Sequence, residues 1–298
     1  MSSVPARYLS PLRYPGGKGR LAKFVAGLLD RQPLRATRYV EPFAGGAGVG
    51  LRLLVDEHVD EIVINDLNPG IAAFWRAVFE RPDDLLTRLQ DCEITIEEWH
   101  RQREVYLSEP DDDVELGFAL FFLNRTNRSG ILDARPIGGY EQKGKWKIDA
   151  RFDKGRLSHR IEVLSSYGSR VSIRQEDGIE IIRGHLKEPD SFIYADPPYL
   201  EKGDDLYLDT LGWTDHVRLS KLLQEGGQWL LTYDADPRIT DDLYAGFRCA
   251  EFSMTHSAAV QHMGREYAVF AHSIEVSTLA GLGGDEATFV PSETKSQV

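Results

Sequence analysis

The sequence has little of what marks several large classes of protein. Among its 298 residues there are two cysteines, three methionines and eight histidines. Cys92 and Cys249 are far apart and fall into no CxxC or zinc spacing, so two ordinary thiols in a reducing cytoplasm are expected rather than a disulfide framework. No histidine stands in an HExxH pattern, and no metal site is expected. The strand-to-helix elbow GxSxG of the hydrolases is absent, as is the dinucleotide fingerprint GxGxxG. No apolar run is long enough to span a bilayer. The opening segment "MSSVPARYLSPLRYPGGK" lacks the apolar stretch of a secretory signal, and no membrane association is expected. Internal repeats are also missing.

What is present begins with charge. The net charge of −12 argues on its face against a polyanionic partner, but its distribution does not. From Met1 to Val40 the bases Arg7, Arg13, Lys18, Arg20, Lys23, Arg31, Arg35 and Arg38 face Asp30 alone. A second basic stretch runs from Leu120 to Arg160, while acid gathers between Asp56 and Glu115 in "DEHVDE" and "EPDDDVE". Basic surfaces on an acidic body remain able to meet phosphate.

Strand and helix patterns alternate in both outer thirds. "RYVEPF", "EIVIND", "RVSIRQ", "SFIYAD", "QWLLTYD", "FRCAEFSM" and "EYAVFAH" read as strands, with helices such as "PGIAAFWRAVF" and "TDHVRLSKLLQ" between several of them. Such βαβ alternation predicts an α/β fold with a mainly parallel sheet covered on both faces. Between Arg81 and Leu123 the pattern is helical, and Asn124–Arg151 is irregular and rich in Gly, Asn, Arg and Lys. The expected division is a sheet domain over 1–80 and 171–275, an inserted lobe over 81–170, and a tail over 276–298 without a core pattern, expected to be disordered.

The first candidate site lies in "EPFAGGAGVGLRLL". Gly45 and its small neighbours stand where a strand turns into a helix, so backbone can approach a ligand closely. Glu41, just before the turn, would repel a pyrophosphate and suits a ligand with a cationic end. Asp66 ends the next strand, where a carboxylate grips ribose hydroxyls. Lys18 in "RYPGGKGRL" and Asp177 in "QEDGIEII" add a base before the first strand and a carboxylate after the third. Together these favour an adenosine whose other end is positive, S-adenosylmethionine. A tight packing turn, with Asp66 and Asp177 as helix caps and Lys18 as a surface base, is the competing reading.

The second is "SFIYADPPYL". Prolines cannot donate to a ladder, so Pro197 and Pro198 end the strand rigidly at Asp196, at the carboxyl end where α/β sheets place ligands. Asp196 and the Pro197 carbonyl can accept the two N–H bonds of an aromatic amine while Tyr199 stacks on its ring. Held in this way, the nitrogen lone pair localises and the positive charge that develops on it is stabilised.

The ordered set "YPGGK", "EPFAGGAG", "INDLN", "LNRTNRSGI" and "YADPPY" resembles the Dam-like (class alpha) DNA adenine N6-methyltransferases, from Tyr14 to about His272. The resemblance implies a Rossmann-like methyltransferase sheet of seven strands, the last antiparallel, with an inserted and mainly helical DNA-recognition lobe. It implies that Tyr14, Lys18, Phe43, Gly45, Asp66 and Asp177 bind S-adenosylmethionine and that Asp196, Pro197, Pro198 and Tyr199 are catalytic. Family members often carry Gly where Ala47 stands.

A duplex hides the adenine amine, so the target nucleotide must be extruded into the pocket. Double-stranded DNA is the expected partner of a cytoplasmic, nucleoid-associated enzyme, a monomer or weak dimer that suits a cognate restriction or defence system. Asn124, Arg125, Asn127 and Arg128 are the expected DNA contacts, since Arg and Asn read base edges; that Asn124 and Arg125 instead hold the loop internally is the alternative. "EKGDDLYLDTLGW" (Glu201–Trp213) reads as a lid. Methylation of cytosine N4, RNA adenine or a glutamine side chain, a catalytically silent DNA-binding relative, and a nicotinamide oxidoreductase are the rival functions. Asp196, in place of Ser or Asn, favours adenine.

Overall fold

The seven apolar runs read as strands all enter one mixed sheet. A computed structural model describes residues 9–13, 17–198, 200, 211–257, 261–283 and 286–291. In it the strands are β1 (Arg38–Glu41), β2 (Glu61–Asn65), β3 (Val171–Arg174), β4 (Ser191–Ala195), β5 (Gln228–Asp234), β6 (Arg248–Ser257), β7 (Gln261–Phe270) and the two-residue β8 (Thr288–Phe289). They lie in the order β3-β2-β1-β4-β5-β7-β6-β8. β1 to β5 run parallel, and β7 is inserted antiparallel between β5 and β6. The order reverses between β1 and β4, so a crevice opens at their carboxyl ends, the place where open α/β sheets take ligands.

β4 shows why periodicity alone could not grade these strands. Every residue from Ser191 to Ala195 is buried, because a central parallel strand is covered on both faces and has no polar side to alternate with. Helices α1 (Ala22–Leu29), α2 (Gly48–Val55), α3 (Pro69–Glu80), α8 (Gly178–His185) and α9 (Trp213–Leu223) accompany the sheet.

Between α3 and β3 come α4 (Pro82–Asp91), α5 (Ile96–Ser108), α6 (Asp113–Thr126) and α7 (Lys154–Ser165). The long loop Asn127–Lys147 precedes α7. α6 is apolar nearly all round and buried from Leu116 to Asn124, as befits a helix wrapped by neighbours. Its Phe121 stacks on Phe74 of α3 with ring centroids 5.3 Å apart, and the apolar core runs unbroken from the sheet helices into these four.

The tail departs from the sequence expectation. Leu282 is fully buried, and β8 pairs antiparallel with β6 through Ala250↔Phe289 and Glu251↔Thr288. Single apolar residues in a glycine-rich chain produce no period, yet each can dock separately and let the chain cover an open sheet edge. Residues 292–298 lie outside the described residues. No helix among the described residues is long and apolar enough to cross a membrane.

Candidate active site at the carboxyl ends of the central strands

β4 delivers Asp196 to the crevice. Ala195 before it is fully buried, whereas the Asp196 side chain keeps 23% of its surface exposed. Both carboxylate oxygens are pinned. Thr232 Oγ1, from the middle of β5, donates to Asp196 Oδ1 at 2.7 Å. Lys18 Nζ lies 3.1 Å from Oδ2. Thr232 spends its only proton on Asp196, so the Tyr194 hydroxyl 3.0 Å away donates to Thr232. The result is a relay from Tyr194 through Thr232 to one oxygen and an ammonium on the other. Each oxygen keeps a second lone pair for a ligand.

The ammonium is shared. Lys18 Nζ also lies 3.4 Å from Glu266 Oε2, and Lys18 and Glu266 are both buried. Burial by itself would depress the lysine, but the carboxylates of Asp196 and Glu266 outweigh it and hold its pKa above the ordinary value. Glu266 is pushed up to about 7, first by burial and then by the charges of Asp196 and Asp234, against the pull of Lys18. Lys18, expected among the cofactor-binding residues, is thus committed to the two carboxylates: a buried ammonium takes the partners that offset its desolvation.

The neighbouring loops form a cradle. Asp66 at the end of β2 accepts from Gly45 N at 2.8 Å and from Asn68 N at 3.0 Å. Gly45 and Ala47 are both left-handed, each with φ of 47°, and Trp75 Nε1 of α3 donates to Gly45 O at 2.9 Å. Asn68, not Asp66, caps α3 by accepting from Ile71 N. Asp177 does cap α8, its Oδ1 accepting from Ile179 N at 2.8 Å, and it remains exposed. The half-buried Phe43 ring leans on the start of that helix, where a Cβ on Gly178 would overlap it. Fully buried Asn65 ties the three loops together: it donates to Pro42 O at 2.8 Å and Glu176 O at 2.9 Å and accepts from Glu176 N at 2.9 Å.

Glu41 differs from its sequence reading. It is buried and accepts from Gly50 N at 2.9 Å, so it braces the first turn of α2 rather than facing a ligand. Burial pushes its pKa up to about 7, with the nearby Asp196 adding to the rise and the Gly50 bond opposing it.

Of the four expected DNA contacts, two are turned inward. Asn124 accepts from Arg13 N at 2.7 Å and donates to Arg13 O at 2.8 Å and Gly130 O at 2.9 Å. Asn127 accepts from Trp99 Nε1 at 2.6 Å and donates to Ile131 O at 3.0 Å and Leu132 O at 2.7 Å. Both amides are buried with every donor used, which leaves none for a base edge. Arg125 is half-buried: its Nε donates to Arg151 O at 2.8 Å, its Nη2 to the same carbonyl, and its Nη1 to Pro11 O at 3.3 Å. Arg128 is exposed. Pro197 is buried and Pro198 half-buried. Tyr14, Tyr199 and most of the expected lid lie outside the described residues.

Sequence reading missed Thr232, Glu266, Asn65 and Trp75. The first two carried a signal, a threonine inside the otherwise apolar and aromatic run "WLLTY" and a carboxylate opening the apolar strand "EYAVF", each on a strand near β4.

Comparison with known proteins adds an independent line. The family model described as D12 class N6 adenine-specific DNA methyltransferase matches residues 14–260. Type II methyltransferase M.MjaIII of Methanocaldococcus jannaschii is 26% identical over 259 residues, covering 79% of this chain and 88% of that protein. Type II methyltransferase M.CviBI of Paramecium bursaria Chlorella virus NC1A is 23% identical over 256 residues, covering 85% and 93%. Among solved structures, the rRNA methyltransferase aviRa from Streptomyces viridochromogenes aligns over 91% of this chain and 88% of its own, with 13% identity and a TM-score of 0.40.

Proposed function

The chain belongs to the D12 class of N6 adenine-specific DNA methyltransferases, and from that premise we propose that methyl transfer to the adenine amine takes place at Asp196, on a nucleotide turned out of the duplex. The observation that supports this most is the pinned carboxylate: half-exposed at the end of a buried strand, with one oxygen on Thr232 and the other on Lys18. Asp196 accepts one N–H of the amine and the Pro197 carbonyl accepts the other, while Tyr199 covers the base. Adenine N6 is a poor nucleophile because its lone pair spreads into the ring. Two acceptors on its N–H bonds localise that pair on nitrogen. As nitrogen gains positive charge, the triad of Asp196, Glu266 and Lys18 offsets it, since two carboxylates outnumber one ammonium once Glu266 is ionised.

The methyl donor of this reading is S-adenosylmethionine, which supplies an activated methyl group on a sulfonium. The cradle fits it: Asp66 for ribose hydroxyls, exposed Asp177 for the adenine amine, the Phe43 ring for its face, and the Gly45 turn for close backbone approach. The excess of carboxylate around Lys18 suits a cationic sulfur. Tyr14 completes the set by its matching position in the motif.

Helices α4–α7 and the loop Asn127–Lys147 form the recognition lobe in this reading. Arg128 is exposed in that loop, as are Tyr140, Lys143 and Trp146, the last with 64% of its surface open. Such groups suit phosphates and base edges of duplex DNA. The relatives named as type II methyltransferases support a modification role beside a restriction or defence system; in this reading the enzyme acts in the cytoplasm as a monomer or weak dimer.

Incubation with methyl-labelled S-adenosylmethionine and duplexes that differ only in adenine or cytosine content tests the reading. Label is expected on adenine N6. Label on cytosine, or on RNA in preference to DNA, overturns it.

A further inference from the structure

The arginines that meet where the N-terminal segment crosses the recognition lobe have a use that the pocket does not absorb. Arg13, Arg125, Arg151 and Arg160 come from four different pieces of chain: the segment before Lys18, the end of α6, the turn before α7, and α7 itself. The side chains of Arg13 and Arg125 bond neutral carbonyls. Arg13 Nη1 donates to Asn127 O at 3.2 Å, Arg160 Nη1 to Ser10 O at 3.1 Å, and Arg125 to Arg151 O and Pro11 O. Among the described residues, no ion pair joins Arg13, Arg125 or Arg151 to a carboxylate.

Three of the five N–H groups of Arg125 are used, so two remain. Burial, and then the charges of Arg13, Arg160 and Arg151, hold its pKa below the usual guanidinium range. Arg13 is lowered likewise, by burial and by Arg151. Asp153 opposes this only weakly, because it caps α7 at Arg156 N and pairs with Arg156 Nε at 3.2 Å. Arg13, Arg125 and Arg151, packed as like charges with no carboxylate paired to them among the described residues, leave an electrostatic cost that a bound anion removes, and planar guanidinium forks match phosphate oxygens.

We propose that Arg13, Arg125 and Arg151 form a seat for one backbone phosphate of the DNA duplex. This rests on the DNA-methyltransferase reading and adds a position to it. Arg13 is five residues before Lys18, its backbone is gripped at both N and O by Asn124, and Lys18 holds Asp196. A phosphate seated here lies on the strap that connects the recognition lobe to the catalytic carboxylate, so the seat sets the register of the duplex on the enzyme without reading sequence.

The test measures affinity for a fluorescent, adenine-containing duplex as KCl rises from about 50 to about 200 mM, where each neutralised phosphate contributes about 0.9 to the logarithmic slope. Arg151 is exposed and its side chain makes no hydrogen bond or ion pair among the described residues, so Arg151→Gln leaves the fold in place. Its slope is expected to be shallower by up to about 0.9, with S-adenosylmethionine affinity unchanged, while Arg151→Lys keeps the slope. Arg35→Gln, remote and paired with Asp60 at 3.0 Å, serves as the control. An Arg151→Gln slope equal to that of the control overturns the seat. Stabilisation by inorganic phosphate at matched ionic strength, with an unchanged duplex slope, assigns the cluster to a free anion and overturns it too. Methyl transfer by the unaltered enzyme is scored separately: transfer to adenine with no slope effect removes the seat alone, and a slope effect without transfer removes the catalytic reading alone.

Discussion

Two clusters of polar side chains looked alike in the sequence and do opposite things. At the end of β4, Asp196 stands half-exposed while Thr232, Tyr194, Lys18 and Glu266 arrange themselves behind it. At the end of α6, Asn124 and Asn127 are buried and consumed by backbone groups. The difference comes from how each element ends. A parallel strand has its ladder bonds satisfied by its neighbours, and the prolines that stop it leave the next side chain free for a ligand. A helix ends on unpaired carbonyls and a chain that must reverse, and amides near such an end are drawn into that work. Asn127 binds two carbonyls of the turn that follows α6, and Asn124 binds the strap crossing it.

The sharpest way to break this contrast is to remove one polar group from each cluster. Asp196→Ala is expected to lower methyl transfer by about three orders of magnitude, the scale for losing a preorganised charged group. Binding of S-adenosylmethionine, followed by calorimetry, should persist. An enzyme that still turns over at more than a tenth of its rate would sink the assignment of Asp196.

At the other cluster the readout is stability. Asn127→Ala strands Trp99 Nε1 and the Ile131 and Leu132 carbonyls, with an expected loss of about 3 kcal/mol in urea unfolding. Arg128→Ala, one position on and exposed, should change stability by less than about 0.5 kcal/mol and weaken duplex binding instead. Equal stability losses for the two would erase the distinction between inward and outward residues.

Much of this architecture was legible beforehand, for identifiable reasons. All seven apolar runs became strands, and the Asp-Pro-Pro terminus predicted where β4 would stop. The parts that were not legible depend on contacts between distant segments. Lys18 reads as a surface base until folding buries it between Asp196 and Glu266, 178 and 248 positions later by residue number. Glu41 reads as a ligand group until its bond to Gly50 N is seen. In the tail, Leu282 has no periodic neighbours to announce it. Thr232 was visible as the one threonine in a largely apolar strand, but only the β4–β5 pairing gives it a purpose.

A smaller effect probes the relay behind Asp196. Thr232→Val keeps shape and removes the donor to Oδ1, and a hydrogen bond to a charged group is worth about 1.5 kcal/mol or more. A fall in kcat of about tenfold is expected, with KM for the methyl donor unaltered, and Thr232→Ser should restore most of it. A deficit shared equally by Val and Ser would point to packing rather than to the hydroxyl.

The mildest prediction concerns the third carboxylate. Glu266 is raised from 4.5 to about 7, so the folded chain holds this proton more tightly than the unfolded one. Its contribution to stability therefore falls as pH climbs from about 4.5 to about 7 and is constant above. Lys18 has the same sign in a more alkaline window, contributing fully below the ordinary lysine range and losing that contribution only as pH rises through its elevated value. Activity should run against Glu266's stability trend. Below about 7 the protonated Glu266 leaves Lys18 and Asp196 neutral as a pair, whereas above it the triad is net negative and better matched to nitrogen charging in the transition state. The kcat profile is expected to rise through about 7, a few-fold in all. Glu266→Gln should flatten most of that limb, leaving what Glu41 contributes from its own raised value. If the substituted enzyme keeps the full limb at the same midpoint, Glu266 is a packing partner of Lys18 and the outward-facing cluster ends at Thr232.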